Sequence, residues 1–159
     1  MSLKLFALDW AEKLWLHCPR SLRHRILRAS QDNFLIGTLG IIENSKSEIL
    51  LLEHRFRLPS PWGLPGGFLQ RHESPQEGLI RELREETGLE ITLNPGIYEV
   101  IHEPTIGNAT LIMTGKTVEK GLRLSSEIRT GGFYSHTAVP PQTYEPHLEL
   151  IDRWFQERE

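Results

Sequence analysis

Two kinds of apolar pattern alternate along this chain. Residues 34–42 and 48–54 are largely apolar over strand-like lengths, which predicts buried strands. Asn44-Ser45-Lys46-Ser47 between them is turn chemistry, since Asn and Ser side chains bond their own backbone. Further strand-like segments fall near 90–103, 109–118 and 127–135. Elsewhere the period is helical. Leu3, Phe6, Ala7, Trp10 and Leu14 recur at helix spacing behind a cap at Ser2, and Pro19 stops that run. A second short helix is expected over 21–29. Ser74-Pro75-Gln76-Glu77 opens a third helix with a capping box and a proline at its first position, and Gly88 ends it. From Pro141 a terminal helix presents Leu148, Leu150, Ile151, Trp154 and Phe155. Pro59, Pro61, Gly63, Pro65, Gly66 and Gly67 form a stiff loop ahead of the third helix. The expected class is α/β (α+β). One domain, 1–159, is expected, with a helical extension (1–30), a core (33–138) and a C-terminal helix (141–159).

Composition narrows the class without changing it. The 159 residues suit one domain, and 25% charged with 38% hydrophobic residues excludes collagen, coiled coil and disorder. No apolar run nears the ~20 residues of a membrane span. Cys18 is the only cysteine, so neither an internal disulfide nor a cysteine zinc site is available. Asp9, Glu12 and Lys13 interrupt the N-terminal apolar stretch, which argues against a signal peptide and makes the cytoplasm the default location. The net charge of −3 argues against DNA binding.

That charge is uneven. Lys4, Lys13, Arg20, Arg23, Arg25 and Arg28 face only Asp9 and Glu12 within residues 1–30, so this zone is basic and the remainder strongly acidic. Packing on the core, a homodimer contact, an anionic membrane surface and RNA are all readings of the zone. Packing or dimerisation is preferred, because Phe6, Trp10 and Trp15 call for burial.

The third helix carries the chemistry. On a helical wheel Glu82, Glu85 and Glu86 share an arc of roughly 100°, bordering the stripe made by Leu79, Ile80 and Leu83. Like charges three and four apart destabilise a helix by about 0.2–0.5 kcal/mol per pair. A hard divalent cation would offset that; so would a solvated acidic face paired with Arg81 and Arg84. The wider spacing decides between them. Gly67, Glu73, Arg81-Glu82-Leu83, Glu85-Glu86 and Gly88-Leu89 stand at the intervals of the Nudix box, and the segment resembles that family at every defining position.

The resemblance implies an α/β/α sandwich around a mixed sheet and hydrolysis of a nucleoside diphosphate linked to another moiety, with Mg²⁺ or Mn²⁺ as cofactor. It implies metal ligands at Glu82, Glu85, Glu86 and the Gly67 carbonyl. It further implies Arg81 orienting the glutamates, Glu73 tying the loop to the helix, and a general base among Glu85, Glu86 and Glu127. Cleavage of RNA 5′ ends and a non-catalytic nucleotide sensor are the alternatives. Arg55 and Arg57 are candidate phosphate or base contacts, or plain surface residues. Trp62 either stacks on a base or plugs the core; Tyr98 and Tyr134 are similar cases. The histidines at 17, 24, 54, 72, 102, 136 and 147 show no ligand pairing and are expected mostly at the surface. No specificity tag follows the box, so the substrate stays open.

Overall fold

The computed structural model describes residues 10, 12–30, 34–103, 107–118 and 121–158. The expected helix start at Ser2, with Leu3, Phe6 and Ala7, lies outside the described residues. The chain divides into two compact units, one up to Phe34 and one from Leu35 to Glu159.

In the first unit, residues 12–17 form a helix (α1) and Arg20–Ser30 a second (α2). The Pro19 carbonyl accepts from the N–H groups of Leu22 and Arg23 and so starts α2. Arg23 donates back to the carbonyls of Cys18 and Leu16 and lies over the Trp15 ring. Of the aromatic residues expected to need burial, Phe6 lies outside the described residues, while Trp10 and Trp15 are exposed and no residue of α2 is buried.

The second unit is built on one eight-stranded mixed sheet. Its strands are β1 (Leu35–Glu43), β2 (Ile49–His54), β3 (Trp62–Gly63), β4 (Gly66–Phe68), β5 (Thr92–Leu93), β6 (Glu99–Glu103), β7 (Asn108–Lys116) and β8 (Ile128–Tyr134). β1 runs parallel to β7 from Leu35↔Asn108 to Glu43↔Lys116 and antiparallel to β2 and β4. β8 pairs with β2, and β5 and β6 with β7. The expected loop at 59–67 thus contains two short strands, and β4 lies against β1 through Thr38↔Gly67.

Side-chain alternation sorts the apolar runs onto two faces. Ile41, Leu51 and Ile112 point to one, where they meet Leu150, Ile151 and Trp154 of α4 (Glu145–Gln156). Ile42, Leu50, Leu52 and Met113 point to the other, where they meet Leu79 and Leu83 of α3 (Pro75–Thr87). The strands read as continuous apolar runs because a helix covers each side. The result is the expected α/β/α sandwich.

α3 is fixed at both ends. Ser74 and Glu77 complete the capping box, and Gly88 closes the helix in the left-handed region at φ 70°. Gly78 sits where a Cβ would overlap the Leu69 side chain, so the helix approaches the preceding loop closely.

Candidate active site

α3 aims its acidic arc at β4, and two adjacent glycines let it come close. Gly66 has φ +142°, and a Cβ there would overlap the Thr38 carbonyl oxygen. Gly67 has no such backbone demand. A Cβ at Gly67 would instead stand 2.5 Å from both Cδ and Oε1 of Glu82, so the missing side chain is the space the carboxylate occupies. The Gly66 N–H donates to Glu86 Oε2 at 3.1 Å.

Arg81 organises the remaining acids. Its Nη1 donates to Glu82 Oε1 at 2.8 Å and to Glu85 Oε2 at 3.2 Å. Nε and Nη2 fork onto Glu73 at 3.0 and 2.8 Å, and Nη2 reaches the Phe68 carbonyl on β4. Glu73 also accepts from the Gln70 N–H, so it joins loop and helix through one carboxylate. These bonds hold the Glu73 carboxyl down at about 2 and raise the Arg81 guanidinium above its ordinary value.

Glu86 is the buried member. Its pKa is pushed up to about 7, first by burial and then by the Glu82 and Glu127 charges, against the Gly66 N–H and the Arg57 charge. Glu127, exposed just before β8, is therefore within electrostatic reach of Glu86. Among the described residues no three acidic, histidine or cysteine side chains already converge on one point, since Arg81 engages both Glu82 and Glu85. The donor set nevertheless fits a hard divalent cation. It offers carboxylate and carbonyl oxygens only, crowded at a glycine cradle, with negative charge that burial leaves under-compensated.

A cavity of about 400 Å³ opens beside this cluster. Arg57, Gly66, Gly67, Asn108, Tyr144 and His147 line it. Arg57 and Glu103 are charged groups in its lining. Burial pulls the Arg57 guanidinium pKa down, while Glu86 and Tyr144 pull it up, and its buried Nη1 has no partner. Arg57 is half-buried, which favours the contact reading over that of a plain surface residue. Arg55 behaves differently. Its Nε donates to the Ser126 carbonyl at 2.7 Å, holding the turn before β8, and it does not line the cavity. Trp62 is the core plug and not a cavity residue, packed edge-on to Tyr134 at 5.5 Å. Tyr98 likewise packs edge-on against Trp154 and donates to Glu157.

Two histidines are exceptions to the mostly surface set expected. His147 is 6% exposed, and its Nδ1 accepts from the Leu64 N–H at 3.1 Å. Burial, then the Arg57 and His54 charges, lowers its pKa to about 3. His54 lies 3.8 Å from Glu86 Oε1, and burial followed by the Arg57 charge lowers it to about 4. That contact is thus one between a neutral imidazole and a carboxyl group. His54, His147 and Tyr144 escaped the sequence reading; only the density of polar residues flanking apolar runs near 54–57 and 144–147 hinted at them.

The NUDIX domain family profile matches residues 34–154. The chain is 24% identical over 149 residues to the NAD-capped RNA hydrolase NudC of Pseudomonas aeruginosa, covering 90% of this chain and 50% of that protein. It therefore spans half the length of that relative. It is 25% identical over 120 residues to the ADP-ribose pyrophosphatase of Methanocaldococcus jannaschii, covering 74% of this chain and 70% of that one. Among solved structures, a NUDIX hydrolase from Nitrosomonas europaea superposes with a TM-score of 0.74 at 20% identity, covering 80% of this chain and 73% of that chain.

Proposed function

The chain belongs to the NUDIX family, and from that premise we propose that it hydrolyses a pyrophosphate bond in a nucleoside diphosphate linked to another moiety. The observation that carries this reading is the acidic arc of α3 set against Gly67, which also lines the cavity. The two relatives named above act, by their names, on an NAD cap and on ADP-ribose. Both compounds contain a pyrophosphate flanked by nucleoside.

Glu82, Glu86 and the Gly67 carbonyl, with Glu85 beside them, would hold the Mg²⁺ or Mn²⁺. When bound, the cation neutralises the substrate's phosphates and lowers the pKa of a water molecule. The chain's own groups do the rest. Arg57 donates to a phosphate oxygen and turns the anhydride toward the carboxylates. Arg81 positions Glu82 and Glu85. Glu127, whose charge acts on Glu86 and which has no ion pair among the described residues, takes the proton of the attacking water in this reading. As the water oxygen bonds to phosphorus, the anhydride P–O bond breaks and the leaving phosphate departs.

The test is product release from ADP-ribose, NDP-sugars, CDP-alcohols, dinucleoside polyphosphates, NADH, nucleoside triphosphates and NAD- or triphosphate-capped RNA, with Mg²⁺, Mn²⁺ or chelator. Cation-dependent cleavage of one class, lost in Glu86→Gln, is expected. Cleavage of capped RNA in preference to free nucleotides would select the second reading, which the match to NudC over 90% of this chain favours. A folded protein that binds Mn²⁺ and cleaves nothing would replace hydrolysis with nucleotide sensing.

A further inference from the structure

The first unit is basic and apolar at once. Its described residues carry Lys13, Arg20, Arg23, Arg25 and Arg28 against Glu12 alone. With Arg20 at zero on a wheel of ~100° per residue, His24, Arg28 and Arg25 follow at about 40°, 80° and 140°. Ala29, Leu22 and Ile26 lie across the helix at about 180°, 200° and 240°. Leu22 and Ile26 open, with Leu14 and Trp15, onto an apolar groove of about 490 Å³. Trp10 and Leu14 stand 65% and 66% exposed, and Leu22 and Ile26 each 45%.

The occupant of this face must satisfy both properties. A second copy apposed through this same face would bring the same excess of positive charge against it. An RNA would pair with the arginines and stack bases on the tryptophans but leave Leu14, Leu22 and Ile26 in water. An anionic bilayer accepts both: phosphate headgroups meet the arginines while the apolar arc and the tryptophans sink to the acyl boundary. Among the described residues no helix is long and apolar enough to cross a membrane, so the contact is with the surface. We infer that residues 10–30 dock the protein on an anionic membrane surface, with α2 lying in the interface plane.

The full chain should sediment with vesicles of phosphatidylcholine containing 30% phosphatidylglycerol and stay in the supernatant with phosphatidylcholine alone. Each arginine near the surface contributes about fivefold to partitioning, so Arg25→Gln with Arg28→Gln should lower it about 25-fold. Leu22→Asp with Ile26→Asp should abolish it; the arginine pair, which does not line the groove, covers the case in which this variant loses α2. Thermal unfolding and soluble-substrate turnover of the arginine variant should match the parent, which separates this reading from the hydrolase assignment. No sedimentation with either vesicle overturns it. So does equal binding to both. Binding lost with arginine but kept without the apolar residues, and equalled by an RNA oligonucleotide, would make the face a polyanion site. A dimer in light scattering that Leu22→Asp with Ile26→Asp dissolves would make it a subunit interface.

Discussion

Gly67→Ala is the sharpest probe of the site, because the residue's role is geometric and its backbone is ordinary. The new methyl group would stand 2.5 Å from Cδ and Oε1 of Glu82, whereas ordinary contact begins at 3.4 Å. The carboxylate must therefore retreat by about 0.9 Å, and Leu79 and Leu83 fix the helix behind it, so the retreat falls on the side chain. A displacement of about 1 Å in a reacting constellation costs on the order of 100-fold in rate, or ~2.7 kcal/mol of barrier. Because the displaced group is the flexible end of a glutamate, the fold should tolerate the change. The assay pairs steady-state turnover of the identified substrate in Mg²⁺ with Mn²⁺ binding by calorimetry and a thermal melt. Turnover should fall about 100-fold and Mn²⁺ should bind more weakly, while the midpoint moves by less than about 2 °C. Turnover within threefold of the parent, with cation affinity unchanged, would show that Glu82 does not work from this cradle.

The neighbouring glycine should behave oppositely. Gly66→Ala forces φ +142° on a residue with a Cβ and drives that atom into the Thr38 carbonyl. It should cost at least ~2 kcal/mol and lower the melting midpoint by about 4–8 °C; an unchanged midpoint would refute the strain argument. Arg57→Ala should raise KM about 10- to 100-fold with a smaller change in kcat, as expected for a lost charged hydrogen bond to substrate. An unaltered KM would remove Arg57 from the substrate's path. His147 makes stability depend on pH. Its pKa, about 3 in the fold, lies below the ~6.5 of an unfolded histidine, so the unfolded chain takes up a proton the fold refuses. Its contribution is full above pH 6.5 and is lost as pH falls toward 3, at about 1.4 kcal/mol per unit. Urea unfolding of His147→Gln should show a slope between pH 6 and 5 shallower than the parent's by that amount, and equal slopes would contradict the assignment.

Much of the scaffold was legible because its signals are local. The ends of α3 are written in Ser74, Glu77 and Gly88, and the acidic arc follows from the spacing of Glu82, Glu85 and Glu86 alone. What escaped depends on distant parts of the chain. His54 and His147 share Arg57 as a neighbour only because β2 and α4 meet on one side of the sheet. A histidine's neighbours in sequence do not report its burial. Trp62 had two readings because an aromatic ring serves a core and a base equally well, and the strand that covers it, β8, lies 66 residues or more downstream. The strands β3 and β4 were missed because a pairing of two or three residues has no period to read. The N-terminal zone differs for another reason: aromatic content calls for burial, and α1 and α2 leave Trp10 and Trp15 exposed.

The pairing of β1 with β7 has a consequence for how the molecule comes into being. Residue 35 finds its partner at 108 and residue 43 at 116, so the central ladder closes a long loop. Non-local pairings of this kind place folding in the slow range, milliseconds to seconds for small domains. During synthesis, at about 5–20 residues per second, β1 waits on the order of 4–15 s for the strand that completes its other edge. The acidic helix is finished in sequence by residue 88, yet the sheet it rests on is not. Until the second half of the chain emerges, the carboxylates of α3 rest on a sheet that lacks β7 beside β1 and β8 beside β2.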